Sequence, residues 1–160
     1  MESEFKELRK TMPQLGTVSW MGLREKRREP LTSVTEVSVK IGEGLEGDRF
    51  SGKPDSKRQV TLIQAEHLDM VAGVMGKERI DPSLTRRNIV VSGINLLALI
   101  DQQFQIGEVV LETTGHCYPC SRMEENLGPG GYNAMLGHGG ITTKVIMEGI
   151  IRINDKVSLR

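Results

Sequence analysis

The sequence predicts a mainly β protein with a few short helices, and two observations carry that prediction. Glycine, proline and charge clusters punctuate the chain about every ten to fifteen residues, leaving segments too short for long helices. Val37, Val39 and Ile41 alternate with Ser38 and Lys40, the period of two expected of a sheet with one buried face.

In order, the candidate strands are residues 16–21, 34–41, 58–63, 88–91, 109–113, 143–147 and 156–159. One amphipathic helix interrupts them, because Leu68, Val71, Ala72 and Met75 fall on one helical face and Gly76 supplies a stop. A shorter helix begins near Asn95. A third, of fewer than two turns, follows from Ser121-Arg122-Met123-Glu124, which has the form of a capping box with Ser121 as N-cap, Met123 and Leu127 on one face and Gly128 as terminator. The run Arg24-Glu25-Lys26-Arg27-Arg28-Glu29-Pro30 reads as a solvated hairpin tip or loop rather than a binding patch, since its signs are mixed. The first residues read as a frayed tail or surface helix, so the expected organisation is a tail, 1–15, and one domain, 16–160.

Composition narrows function. The 160 residues include 38% apolar and 26% charged residues, enough for a real core. Twenty-one basic residues balance twenty-one acidic ones, which removes the overall basic field of a general nucleic-acid binder and makes any anion site local. Three Phe, two Tyr and one Trp are too sparse for base-stacking platforms. The longest apolar stretch, 94–100, is interrupted by Asn95 and is too short to span a bilayer. No secretory signal opens the chain, so a reducing cytoplasmic setting is expected, with Cys117 and Cys120 as thiols.

The densest reactive cluster is His116-Cys117-Tyr118-Pro119-Cys120-Ser121-Arg122. If Ser121 is an N-cap, Cys120 lies one residue before it, where free backbone N–H groups and the charge of Arg122 favour a thiolate over the free-thiol pKa of about 8.5. Cys120 is then the best nucleophile or soft-metal ligand in the chain. The plainer alternative is a small buried residue at a strand–helix junction. Cys-x-x-Cys at a helix start also suits thiol–disulfide exchange, although the β-α-β pattern expected beside such a motif is not apparent; with His116 and His138 the cysteines would make a zinc set. Residues 128–140 hold six glycines, a phosphate nest or a tightly turned connection, within which His138 either donates to a phosphate or packs quietly. Basic and amide residues sit at strand ends: Asp48-Arg49, Arg58-Gln59 and Arg86-Arg87-Asn88. Each alone reads as a surface charge. Together with the thiol and the glycines they outline a pocket for a phosphorylated ligand bearing a sulfur-binding atom. His67 reads as a structural boundary residue.

The stretches Gly42-x-Gly44-x-x-Gly47-Asp48-Arg49, Arg58-Gln59-Val60-Thr61-Leu62-Ile63, Arg87-Asn88-Ile89-x-x-x-Gly93, Ile106-Gly107, Pro119-Cys120, Gly139-Gly140-Ile141, Gly149 and Asp155-Lys156-Val157, in this order, resemble the MOSC domain family over residues 16–160. The family takes its name from the C-terminal domain of molybdenum cofactor sulfurase. The resemblance implies a β-barrel-like domain in which the cysteine matching Cys120 is reactive. In members such as the sulfurases that cysteine is proposed to carry sulfur; related proteins bind the molybdenum cofactor, a pterin phosphate dithiolene, through it, and some reduce N-hydroxylated compounds. Two features depart from the family pattern. Phe50 stands where many relatives have histidine, and Cys117 is an additional thiol that would resolve a persulfide or sulfenate on Cys120.

The resulting expectation is a cytoplasmic MOSC protein binding molybdenum cofactor, with Cys120 as catalytic residue and metal ligand. Arg58, Arg87, Asn88, Arg122, His138, Gly139 and Gly140 are expected around the pterin and its phosphate. Two-electron reduction of an N-hydroxylated small molecule would draw electrons from a separate partner. The alternatives are a sulfur carrier that receives a persulfide on Cys120 from a cysteine desulfurase, and a non-catalytic module that stores or delivers the cofactor. Neither nucleic acid nor membrane is an expected partner.

Overall fold

A closed ring of strands is the core of this protein, seen in a computed structural model that describes residues 2–49 and 52–160. Phe50 lies outside the described residues. The chain opens with α1, Glu2–Lys10, a surface helix with no buried residue. The strands that follow are β1 Gly16–Leu23, β2 Thr32–Ser33, β3 Glu36–Lys40, β4 Gly44–Leu45 and β5 Val60–Gln64. Two helices, α2 Ala65–Val74 and α3 Pro82–Thr85, lead to β6 Ile89–Ser92. After a 3-10 turn at Leu96–Leu99 come β7 Gln103–Ile106 and β8 Val109–His116, then α4 Ser121–Leu127 and α5 Gly131–Met135. The chain finishes with β9 Ile141–Met147, β10 Gly149–Arg152 and β11 Lys156–Leu159.

Seven strands form the barrel in the order β11-β7-β8-β9-β5-β6-β1, and pairing of β1 with β11, Gly16 opposite Val157, closes it. Closure removes the unpaired edges that an open sheet would present. The hairpin strand β2 extends β1 beyond the ring, and β10, β3 and β4 make a smaller sheet. The expected mainly β, barrel-like fold with short helices is what the chain adopts.

Most barrel neighbours are antiparallel, but β5 and β6 are parallel, with Leu62 opposite Ile89. The connection through α2 and α3 makes this a β-α-β unit, which corrects the expectation that none exists. Its strands are buried on both faces, so they read as apolar runs without alternation. Leu62 and Ile89 belong to the main core with Val18, Leu111 and Val157, while Ile63 and Val90 pack with Leu68, Val71, Met123, Leu127 and Met135 beneath the helices. The side chains of one strand pair thus hold two cores together. α2 follows its predicted face, and Gly76 takes φ 67° just past the Met75 C-cap.

Two further expectations change. The glycine-rich segment is not only a connection, since it contains α5, fixed by packing of Gly131, Ala134 and Met135. The capping box at α4 is not formed. Cys120 itself is the N-cap, in extended conformation (φ −132°, ψ −177°), Ser121 is already helical, and no side chain caps this end. Glu124 turns to α5 instead, where its Oε1 accepts the N–H groups of Gly130 at 2.7 Å and Tyr132 at 3.4 Å.

Candidate functional site

The cysteine loop leaves β8 at His116 and enters α4 at Cys120. Both cysteines are free; Cys120 is exposed, whereas Cys117 is 1% exposed. Tyr118 between them points outward, 72% exposed, and His116 stacks against it at a tilt, ring centres 5.7 Å apart. The thiol the sequence singles out is therefore open to solvent, and the other is enclosed.

The loop is held from beneath by Arg87. Its Nε donates to the Gly139 carbonyl at 2.8 Å, Nη1 to Thr85 at 2.9 Å, and Nη2 to Cys117 at 3.1 Å and Tyr118 at 3.3 Å. The Cys117 N–H donates to the Gly140 carbonyl at 2.8 Å. Such close approach requires glycine: a Cβ on Gly139 would lie 2.1 Å from the Cys117 oxygen, and one on Gly140, at φ 92°, 1.9 Å from the Leu62 oxygen. Gly139 and Gly140 thus dock the loop against β5.

Arg86, the residue before Arg87, takes a left-handed conformation (φ 58°) at the end of α3. A non-glycine residue there is uncommon and energetically costly, a feature that clusters at functional sites. The turn gives the two arginines different surroundings. Arg87 reaches the cysteine loop, and Arg86 lines an open cavity of about 380 Å³ with Arg24, Arg27, Arg49, Arg58, Gly52 and Ser56. Burial, then the charges of Arg24 and Arg122, press the Arg86 guanidinium below its ordinary pKa; Asp48 partly offsets them and Arg49 adds to them. Like charges held this close favour an anion between them.

Asp48 organises the cavity wall. Its buried carboxylate takes a fork from Arg24, with Nη2 to Oδ2 at 2.7 Å and Nε to Oδ1 at 3.2 Å, and also accepts the Arg24 N–H at 2.6 Å. Asn88, fully buried, donates from Nδ2 to Asp48 at 3.3 Å and to the Gly22 carbonyl at 3.2 Å, while its Oδ1 accepts the N–H and hydroxyl of Thr61. The Gly-Asp-Arg turn, β1, β5 and β6 are joined at this one amide.

Of the residues expected around a ligand, Arg58 lines the cavity, and Cys120 stands exposed on the loop that Arg87 holds. Arg122 pairs loosely with Glu125 at 3.6 Å, and its charge reaches Arg86. Arg87, Asn88, Gly139 and Gly140 make the internal contacts already described. His138 meets His67 edge to face, ring centres 5.1 Å apart, and the Nδ1 atoms of both are buried without a partner. Among the described residues no three His, Cys, Asp or Glu side chains gather to hold a metal, so the Cys2His2 zinc alternative has no ligand set.

Arg24 and Arg27 are cavity residues that the mixed-sign reading of their segment passes over. The usable signal was Arg24 directly after the apolar end of β1, with Asp48 in a glycine-framed turn to receive it. Charge sign along a run does not show which members turn inward.

The fold and site define a small β-barrel protein with one parallel crossover, an exposed thiol and an arginine-lined cavity. The sequence profile of the MOSC domain matches residues 47–158. The chain belongs to the MOSC domain family, which is associated with molybdenum cofactor binding. Its fold is similar to that of the YuaD protein from Bacillus subtilis, at TM-score 0.77 and 17% identity over 93% of this chain and 98% of that one. YiiM from Escherichia coli is similar at TM-score 0.68 and 18% identity, covering 90% of this chain and 69% of that one. YiiM from Geobacillus stearothermophilus gives TM-score 0.73 and 14% identity over 91% and 75%. At these identities the likeness shows the fold alone. No curated protein matches the sequence. Among the described residues no helix is long and apolar enough to cross a membrane.

Proposed function

We propose that the chain binds molybdenum cofactor and uses it to reduce a small N-hydroxylated compound. The observation that carries this reading is the placement of an open five-arginine cavity and the exposed Cys120 loop on one turn, Arg86-Arg87. The residues present fit the group. A thiolate is a suitable ligand for a thiophilic metal, and guanidinium forks suit a phosphate. Cys120 would hold the metal, with Arg58 and Arg86 on the phosphate and Arg24, fixed by Asp48, supporting them. When bound, the cofactor supplies the two-electron couple. The chain's own residues bind the phosphate, orient the ligand and hold Cys120 outward. In the net reaction the substrate N–O bond breaks, two electrons and two protons are taken up, and an amine and water leave; a separate redox protein delivers the electrons.

A second reading rests on Cys120 being free and exposed while Cys117 is enclosed. In a sulfur carrier, the Cys120 thiolate attacks the terminal sulfur of a persulfide on a cysteine desulfurase; that S–S bond breaks, the desulfurase leaves as a thiolate, and Cys120 keeps the sulfur. One variant tests both readings. Protein from a host that makes the cofactor is expected to carry molybdenum and the fluorescence of oxidised pterin in stoichiometric amount, both lost in Cys120→Ser. Pterin-free protein from that host, gaining one sulfur on Cys120 by mass spectrometry after exposure to a sulfur donor, would replace the first reading with the second.

A further inference from the structure

Arg87 is 3% exposed and makes no ion pair among the described residues. A buried cation without a carboxylate loses hydration that only well-placed dipoles can replace, and a residue serving packing alone would be apolar there. Four carbonyl oxygens supply those dipoles, from Thr85, Cys117, Tyr118 and Gly139. The carbonyls of Cys117 and Tyr118 have no other donor among the described residues. Pro119 is buried but offers no N–H, and Tyr118 faces solvent, so among the described residues the Cys117 N–H makes the only other backbone hydrogen bond of the stretch 117–119. A planar guanidinium is suited to this task because its donors diverge in fixed directions, one toward α3, one toward the 137–140 loop and two toward the cysteine loop.

We propose that Arg87 is the positioning residue of the cysteine loop: by bridging Cys117, Tyr118 and Gly139 it keeps Cys117 enclosed and presents Cys120 beside the arginine cavity. Arg86 and Arg87 are consecutive, so the same left-handed turn sets the anion-binding wall and the thiol together. Burial foremost lowers the Arg87 pKa; Arg58 and Arg24 add to that lowering, and Cys117 and Cys120 only partly oppose it. The inference rests on reading Cys120 as the reactive thiol, and its test needs no bound cofactor.

The test is native-state alkylation of the full chain with iodoacetamide, followed by mass spectrometry of both cysteine peptides. The unaltered protein is expected to label on Cys120 with Cys117 protected. Arg87→Ala is expected to raise Cys117 labelling at least about tenfold, the change that loss of one charged hydrogen bond corresponds to. Guanidinium chloride at tens of millimolar should restore protection, and sodium chloride at equal concentration should not. A residue acting only through packing would not show that difference. Should Arg87→Ala fail to fold, Arg87→Lys is read instead: it keeps the charge without the planar fork, and intermediate Cys117 labelling is expected. A folded Arg87→Ala with Cys117 still protected, equal effects of the two salts, or unchanged labelling in Arg87→Lys would each overturn the proposal. Failure of the cofactor reading shows separately, as absence of pterin.

Discussion

His67 and His138 meet edge to face at 5.1 Å, and among the described residues both Nδ1 atoms are buried and unpartnered. Burial, then the neighbouring His138, lowers the pKa of His67, and Glu66 only partly offsets them. The sign follows from linkage. The unfolded chain titrates near 6.5, so above that pH His67 is neutral in both states and its contribution to stability is whole; as pH falls below about 6.5 the unfolded chain takes the proton first and stability is lost. The melting temperature is expected to drop between pH 7.5 and 5.5, and His67→Gln should flatten that slope; equal slopes in the two proteins would refute the assignment. His67 was legible as a boundary residue from its helical position, yet its partner was not, because no local period links α2 to the loop after α5. The same limit applies at the site. Cys120 and the strand-end arginines stand out by residue type, whereas the inward course of Arg87 depends on a left-handed turn at Arg86 that side-chain chemistry does not announce.

At the scale of elements, the strands that were readable are those with alternation or a buried apolar run, β3 and the β5–β6 pair among them. β2 and β4 have two residues each and can show no period. β7 does alternate, with Phe104 and Ile106 buried, but four residues between charged and glycine punctuation gave too little signal. α5 is the clearest case of tertiary context overriding propensity, since it starts at Gly131 and has no side-chain cap on its own N-cap. Two features hold it. A Cβ at Gly131 would lie 2.5 Å from the Met123 carbonyl, so only glycine admits this approach of α5 to α4, and Glu124 receives the first amides. Glu124→Ala is expected to cost about 1 kcal/mol, the worth of a helix cap, and to lower the melting temperature by about 2 to 4 °C. Glu124→Gln keeps an acceptor and should lose less. Thermal unfolding of both variants checks this, and an unchanged Glu124→Ala would mean that packing alone fixes α5.

At the scale of the molecule, the ends of the described chain play unequal parts. α1 buries no side chain, although Arg9 Nη2 donates to the Ile100 carbonyl, and exposed contacts of this kind contribute little. β11 pairs with both β7 and β1, and Val157 is fully buried in the main core. Removing residues 2–11 is therefore expected to leave the melting temperature within about 4 °C of the parent, the shift of roughly 1 kcal/mol in a domain of this size. Removing residues 156–160 opens the ring, leaves β7 and β1 with unpaired backbone edges and exposes the apolar interior, so that chain should accumulate as aggregate. The truncation at the C-terminal end removes half as many residues as the one at the other end, so a larger effect from it cannot come from length. Size-exclusion chromatography and thermal unfolding give the readout. If the chain lacking 156–160 proved monomeric and unfolded cooperatively near the parent temperature, the barrel would not depend on closure, and the site would be held instead by the β5–β6 crossover, the Asn88 contact to Asp48 and the Arg87 contacts to the cysteine loop.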